Sequence, residues 1–329
     1  MGVAVTGWGS AVPETVVSNA DIGAQVDVEP DWIFQRTGIT SRHIAADGQK
    51  TSELATDAAR RALGVAGADA EMLDAIIVAT VTPDLQIPAT ASLVQSSLGA
   101  RRAAAFDLNA GCSGFLYALS QATAMVVSGQ ARRVLVVGAD ILSRVIDFSD
   151  PRSAVLFGDG AGAVVVERSI GRDRIGPFLL GSDGSEPDLL CIPRSTGLIS
   201  MQGREVYRRA VEAMSDSIRD LSRAQGIELE EIDLVVCHQA NARILASVAD
   251  RTGLPEERFL SNISSYGNTS AASIPLALAE AADGGRLGPG DLVVLAAFGA
   301  GFTWGAGLVR WGEGTSDAEH RRVGALADA

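Results

Sequence analysis

Three residues far apart in the chain carry side chains that together could run covalent catalysis: a thiol at Cys112, an imidazole at His238 and a carboxamide at Asn268. Cys112 lies in Asn109-Ala110-Gly111-Cys112-Ser113-Gly114-Phe115, between an apolar strand-like run and an apolar helical one. A cysteine at a helix N-terminus meets unpaired N–H groups and the positive end of the dipole, and both favour the nucleophilic thiolate. The bland reading is a small buried hydrophobe. His238, in Cys237-His238-Gln239-Ala240-Asn241, closes a Val-rich run, and α/β sheets place their ligands at such carboxyl ends. His43 follows a polar turn and His320 is in the tail, so His238 is the core imidazole partner for Cys112, or else a satisfied core histidine. Asn268, in Tyr266-Gly267-Asn268-Thr269-Ser270, is a donor, a helix N-cap, or both. The turn Phe298-Gly299-Ala300-Gly301-Phe302 exposes backbone N–H groups suited to an oxyanion. By contrast, Phe157-Gly158-Asp159-Gly160-Ala161-Gly162 contains GxGxG but runs into a strand rather than a helix, so a dinucleotide-binding reading fails.

These residues need elements to position them. Buried strands are expected at 2–10, 73–81, 103–108, 133–138, 161–167, 233–237 and 291–296, with another strand-like run at 259–265. Helical spacing runs over Thr51–Leu63, with Thr51 or Ser52 as cap and Gly64 as stop; further helices are expected up to Ser128 and over Glu205–Ala224 and Ser273–Ala282. The intervals repeat. Asp74 to Cys112 is 38 residues and Asp233 to Asn268 is 35; Cys112 to Val134 is 22 and Asn268 to Leu292 is 24. The pattern predicts two duplicated α/β halves about a pseudo-twofold axis, at 1–170 and 171–311. Asn268 is then the counterpart of Cys112. The tail, 312–329, is charged and rich in small residues, and is expected to be disordered.

Composition narrows the function. The 329 residues are 47% hydrophobic with a net charge of −13, which disfavours nucleic acid as a partner. Three widely spaced cysteines support neither a disulfide framework nor a metal site, and fit a reducing cytoplasm. Neither a signal peptide nor a membrane span is expected.

The motifs taken together resemble ketoacyl synthase III (β-ketoacyl-acyl-carrier-protein synthase III) of the thiolase-fold condensing enzymes. The resemblance runs from Val3 to Trp311. It is carried by Asp31-Trp32-Ile33 with Arg36-Thr37-Gly38-Ile39, the Cys112 segment, 157–163, His238-Gln239-Ala240-Asn241, 267–273 and 297–305. It implies a five-layered αβαβα fold and a Cys112–His238–Asn268 site without the second histidine of elongating synthases or the second cysteine of thiolases. It implies decarboxylative condensation of an acyl-CoA with malonyl-acyl carrier protein, in fatty acid or polyketide biosynthesis. The oxyanion would sit on the backbone N–H groups of Cys112 and Ala300. Coenzyme A, as substrate and not cofactor, would meet Trp32, Arg36, Arg152, Gly203, Asn241 and Arg243. Ile87, Leu142 and Phe157 would shape the acyl pocket, with Ile87 where a homodimer partner caps it. Arg208, Arg243 and Arg251 would form a patch for the carrier protein.

This chain departs from the family pattern in three places. Ala300 stands where the family usually has glycine, Ile87 replaces an aromatic residue, and the segment 191–201 is shorter than in housekeeping relatives. The alternatives are a relative that moves an acyl group to a hydroxyl or amine, and a catalytically silent subunit. Retention of all three site residues argues against the latter.

Overall fold

The computed structural model describes residues 2–169 and 174–312. The expected tail therefore lies outside the described residues apart from Gly312, as does His320. Nine strands build two sheets. In the first are β1 (Gly2–Ala11), β2 (Ala75–Ala79), β3 (Ala104–Leu108), β4 (Arg133–Asp140) and β5 (Gly160–Ser169), in the order β1-β5-β4-β2-β3. In the second are β6 (Ile175–Ser182), β7 (Leu234–Cys237), β8 (Leu292–Gly299) and β9 (Thr303–Arg310), in the order β7-β8-β9-β6. Six helices matter most for the site: α1 (Pro30–Thr37), α2 (Thr51–Ala66), α3 (Gly114–Val127), α4 (Gly203–Gln225), α5 (Ala242–Thr252) and α6 (Ser273–Asp283).

The apolar runs alternate faces, as a strand buried on both sides must. Ala75, Ile77 and Ala79 of β2 and Val134 and Val136 of β4 pack inward on α3 and α6, together with Val236 and Leu295 of the second sheet. Ile76, Val78, Leu135 and Val137 face outward onto α2. Val235 and Val294 face outward toward α4 and α5. The layers are thus α2, first sheet, α3 with α6, second sheet, α4 with α5, which is the expected αβαβα.

Both sheets share a pairing pattern. β2 runs parallel to β4, then β5 and β1 follow antiparallel; β7 runs parallel to β8, then β9 and β6 follow antiparallel. The duplication is not complete. The run 259–265 forms no strand: its link to the second sheet is a single bridge between Val235 and Phe259, and Ile263–Tyr266 turns into a short helix. β3, its counterpart, is a full parallel partner of β2. The predicted stop of α2 is also corrected. Gly64 continues the helix and Gly67, at φ 60°, ends it, because the left-handed cap falls where the chain leaves rather than at the first glycine. Lys50, rather than Thr51 or Ser52, is the N-cap residue.

Candidate active site

Cys112 follows β3 and precedes α3, whose N-cap residue is Ser113. The turn is squeezed against the Gly299–Phe302 turn that joins β8 to β9. A Cβ on Gly299 would lie 2.6 Å from the Cys112 amide nitrogen, and one on Gly111 would lie 2.8 Å from that of Ala300. Glycine at both places lets two backbones meet where side chains would hold them apart. The N–H groups of Cys112 and Ala300 therefore come from opposite halves to one spot. Alanine at 300 carries no left-handed strain, because the positive φ values of this turn fall on Gly301 (76°) and Phe302 (38°).

Cys112, His238 and Asn268 line one cavity of about 1170 Å³. His238, 3% exposed, lies just past the end of β7, and its backbone N–H donates to Ala296 O. Its Nδ1 lies 2.7 Å from Ser273 Oγ, at the start of α6, which leaves Nε2 as the free ring nitrogen. Asn268 is fixed by its backbone, donating to Leu156 O and accepting from Gly158 N. Its side-chain Oδ1 accepts from Ser270 N at 2.9 Å, so the carboxamide caps the turn with its oxygen and keeps Nδ2 as a donor. The helix N-cap expectation is corrected: Thr269 and Ala272 occupy the N-cap positions of the turns that follow, and the Asn268 carboxamide instead closes a local turn onto Ser270 N.

Burial sets the charge states. It pushes the Cys112 thiol up to about 11 and the His238 imidazole down to about 4. The expectation of a resting thiolate is thus corrected. The rise at Cys112, from 9.0 to about 11, is worth roughly 3 kcal/mol. A helix terminus typically supplies about 0.3–1 kcal/mol, so desolvation wins. The resting pair is a neutral thiol and a neutral imidazole. For stability, the unfolded histidine takes a proton below about 6.5 while the buried one refuses it until about 4. Unfolding free energy should therefore fall as pH drops from 6.5 to 4, by roughly 3 kcal/mol from this group. Denaturant titrations across that window should show the difference between wild type and His238→Gln; identical slopes would contradict it.

Residues 106–184 match the family described as 3-Oxoacyl-[acyl-carrier-protein (ACP)] synthase III, and residues 222–311 match its C-terminal counterpart. A β-ketoacyl-[acyl-carrier-protein] synthase III of Roseiflexus castenholzii is 46% identical over 325 residues, covering 94% of this chain and 98% of the relative. One from Paramagnetospirillum magneticum is 49% identical over 317 residues, covering 93% and 98%. The chain belongs to the β-ketoacyl-[acyl-carrier-protein] synthase III family. The crystal structure of 3-oxoacyl-[acyl-carrier-protein] synthase III from Aquifex aeolicus VF5 superposes with a TM-score of 0.92 at 44% identity, covering 94% of this chain and all of that one.

Against the synthase III expectations, the structure gathers most of the named residues. Trp32, Arg36, Arg152, Gly203, Asn241 and Arg243 all line the cavity, as do Leu142 and Phe157. Trp32 is 38% exposed, with the Arg36 guanidinium 5.1 Å from its ring centre. Arg152 grips Asp150 through two nitrogens. Asn241 has a structural task that the sequence did not reveal: it caps α5 through Arg243 N and donates to Arg36 O, joining the two halves at the cavity mouth. Ile87 is not part of the cavity in the single chain and stands 83% exposed. Arg208 is engaged by Glu205 and Glu212, and Arg251 by Asp216. Of that patch, Arg243 alone lines the cavity, stacked over Tyr207. The sequence reading gave no role to Ser270, Ser273 or Asp140. A charged residue ending an otherwise apolar strand, as Asp140 does, was a usable signal.

Proposed function

We infer that this synthase III condenses an acyl-CoA primer with a malonyl thioester on an acyl carrier protein. The reading is supported chiefly by the convergence of a thiol, a free Nε2 and a free carboxamide Nδ2 in one cavity. In the first half-reaction the Cys112 sulfur attacks the acyl carbonyl as its proton passes to His238 Nε2, and the imidazole hands that proton to the departing sulfur, so coenzyme A leaves as the thiol and His238 returns to neutral. The oxyanion forms against the N–H groups of Cys112 and Ala300. In the second, the malonyl thioester loses carbon dioxide, and the enolate oxygen accepts hydrogen bonds from Asn268 Nδ2 and from His238 in its Nε2–H tautomer, in which Nδ1 accepts from the Ser273 hydroxyl. The carbanion attacks acyl-Cys112, forming the new carbon–carbon bond and releasing the sulfur as a thiolate, which takes one proton from solvent to restore the resting thiol. Decarboxylation itself supplies the electron pair, so no strong base is required. Neutral donors suffice, in keeping with an imidazole whose pKa is about 4.

The open mouth at Trp32, Arg36 and Arg243 is the proposed entrance for coenzyme A, with Leu142 and Phe157 walling the acyl end. A homodimer is part of the same proposal. β3 is an edge strand with Phe106 36% exposed, and with Ile87 it leaves apolar surface that a second copy would cover. Among the described residues no helix is long and apolar enough to cross a membrane. The test is intact-mass analysis after incubation with assorted acyl-CoAs, followed by malonyl-acyl carrier protein. The expected result is an adduct on Cys112 that disappears with release of carbon dioxide and a 3-ketoacyl product. An adduct that moves instead to a hydroxyl or amine, with no carbon dioxide, would overturn condensation in favour of acyl transfer.

A further inference from the structure

Two hydroxyls beside the oxyanion turns take no part in the steps above. Ser113 is fully buried and is the N-cap residue of α3, yet its side chain caps nothing. Its Oγ donates instead to Thr303 O at 3.0 Å. Thr303 opens β9 and lines the cavity, and its Oγ1 donates to Ala110 O at 2.7 Å. Ala300 O lies 3.3 Å from the same hydroxyl, which has one proton, and the shorter contact takes it. The two bonds are reciprocal: each half of the molecule gives one hydroxyl to a backbone carbonyl of the other. They tie residues 190 and 193 positions apart.

Both bonds cross the seam where the oxyanion donors meet. Ala110 and Ser113 flank the Cys112 turn, and Thr303 pairs with Gly299 where β8 and β9 join through Ala300. A Cβ on Gly299 would lie 2.6 Å from Cys112 N and 3.1 Å from Thr303 Oγ1, so the amide and the hydroxyl converge on one spot. The seam is built of Gly111, Gly299 and Gly301, and glycine backbone has the most freedom to lose on ordering. An oxyanion hole needs its donors about 2.7–3.1 Å from the developing charge. Two hydroxyl bonds across the seam supply the register that glycine by itself does not.

We propose that Ser113 and Thr303 are positioning residues that hold the Cys112 and Ala300 N–H groups in register for the oxyanion. The proposal rests on the acylation step of the condensing reading. As the sulfur–carbon bond forms, the carbonyl π pair moves onto oxygen, where the two N–H groups meet it. The pair returns to carbon as the coenzyme A sulfur leaves. Neither hydroxyl gives up its proton.

The test compares two reactions of Cys112 in the full chain, both placed by peptide mapping. One is single-turnover acylation by whichever acyl-CoA of an acetyl-to-decanoyl series labels wild type fastest. The other is alkylation by iodoacetamide, which displaces iodide from a saturated carbon and forms no oxyanion. Thr303→Val removes the hydroxyl and keeps the branched shape, and Ala110 O retains the Ser113 N–H. Its saturating acylation rate should fall about ten- to a hundred-fold, with the half-saturating acyl-CoA concentration and the alkylation rate each within about two-fold of wild type. Ser113→Ala should fall in the same way, and Thr303→Ser, which keeps the donor, should acylate close to wild type. Unchanged acylation in folded Thr303→Val overturns the proposal. So does an equal loss of alkylation, which would put the defect in the thiol, and so does a slow Thr303→Ser, which would put it in packing. The expected acylation pattern in a protein that never condenses malonyl-acyl carrier protein would sink the condensing reading alone.

Discussion

Cys112→Ala should leave a folded protein that no acyl-CoA labels. Cys112 lines the cavity beside the two turns that meet at Gly111 and Gly299, and in the proposed reaction its sulfur carries the acyl group between half-reactions. Without it no covalent intermediate forms, and condensation should fall by about 10⁴-fold or more, as when a nucleophile is removed from other covalent enzymes. Stability should change little, by about 1 kcal/mol or less, because only the sulfur atom is lost and no hydrogen bond goes with it. Intact mass after acyl-CoA incubation and a melting curve decide the matter together. Cys191 also lines the cavity, so peptide mapping must place the adduct. Persistent labelling at Cys191 in the variant would move the nucleophile there.

Asn268→Ala should separate the two half-reactions. Acylation of Cys112 needs the thiol, the imidazole and the backbone donors, none of which the substitution removes. Decarboxylation loses one of two donors to the enolate, and a single such donor in a dry site is worth about 10²–10³ in rate. Labelling should therefore persist while carbon dioxide release from malonyl-acyl carrier protein drops by that factor. Alanine also removes the acceptor for Ser270 N–H, worth about 1 kcal/mol. Asn268→Asp controls for this, since it retains an acceptor for that N–H and loses the amide donor. Both variants should fail at decarboxylation. If the aspartate variant decarboxylates normally, Asn268 serves the turn and not the enolate.

The layers were legible because their strands are runs of Val, Ile and Leu that no exposed element would tolerate, and β2, β4, β7 and β8 lie within a few residues of the predicted bounds. The candidate triad was legible because thiol, imidazole and carboxamide each follow a recognisable strand or turn. What was not legible depends on contacts across long separations. The run 259–265 has strand composition, yet Gln239 Nε2 takes Leu260 O, and the chain turns helical at Ile263 before a ladder can form. The ionisation of Cys112 could not be read from its helix, because the opposing effect, burial, depends on residues distant in sequence that pack around it. Ser273 sat in a segment already noted for its pattern, but its partner is 35 residues away, and only the fold shows that it holds His238 Nδ1.

The backbone contact between Gly111 and Ala300, and between Gly299 and Cys112, has a consequence for how this molecule can vary. Each half contributes one lip of a seam, and neither lip is of use by itself. Insertions on the outer helices leave the seam alone, whereas one extra methyl group at either glycine would pry the lips apart and silence the sulfur without touching a single reacting side chain. The site is thus a joint, and it exists only where the two halves meet over the apolar core they share.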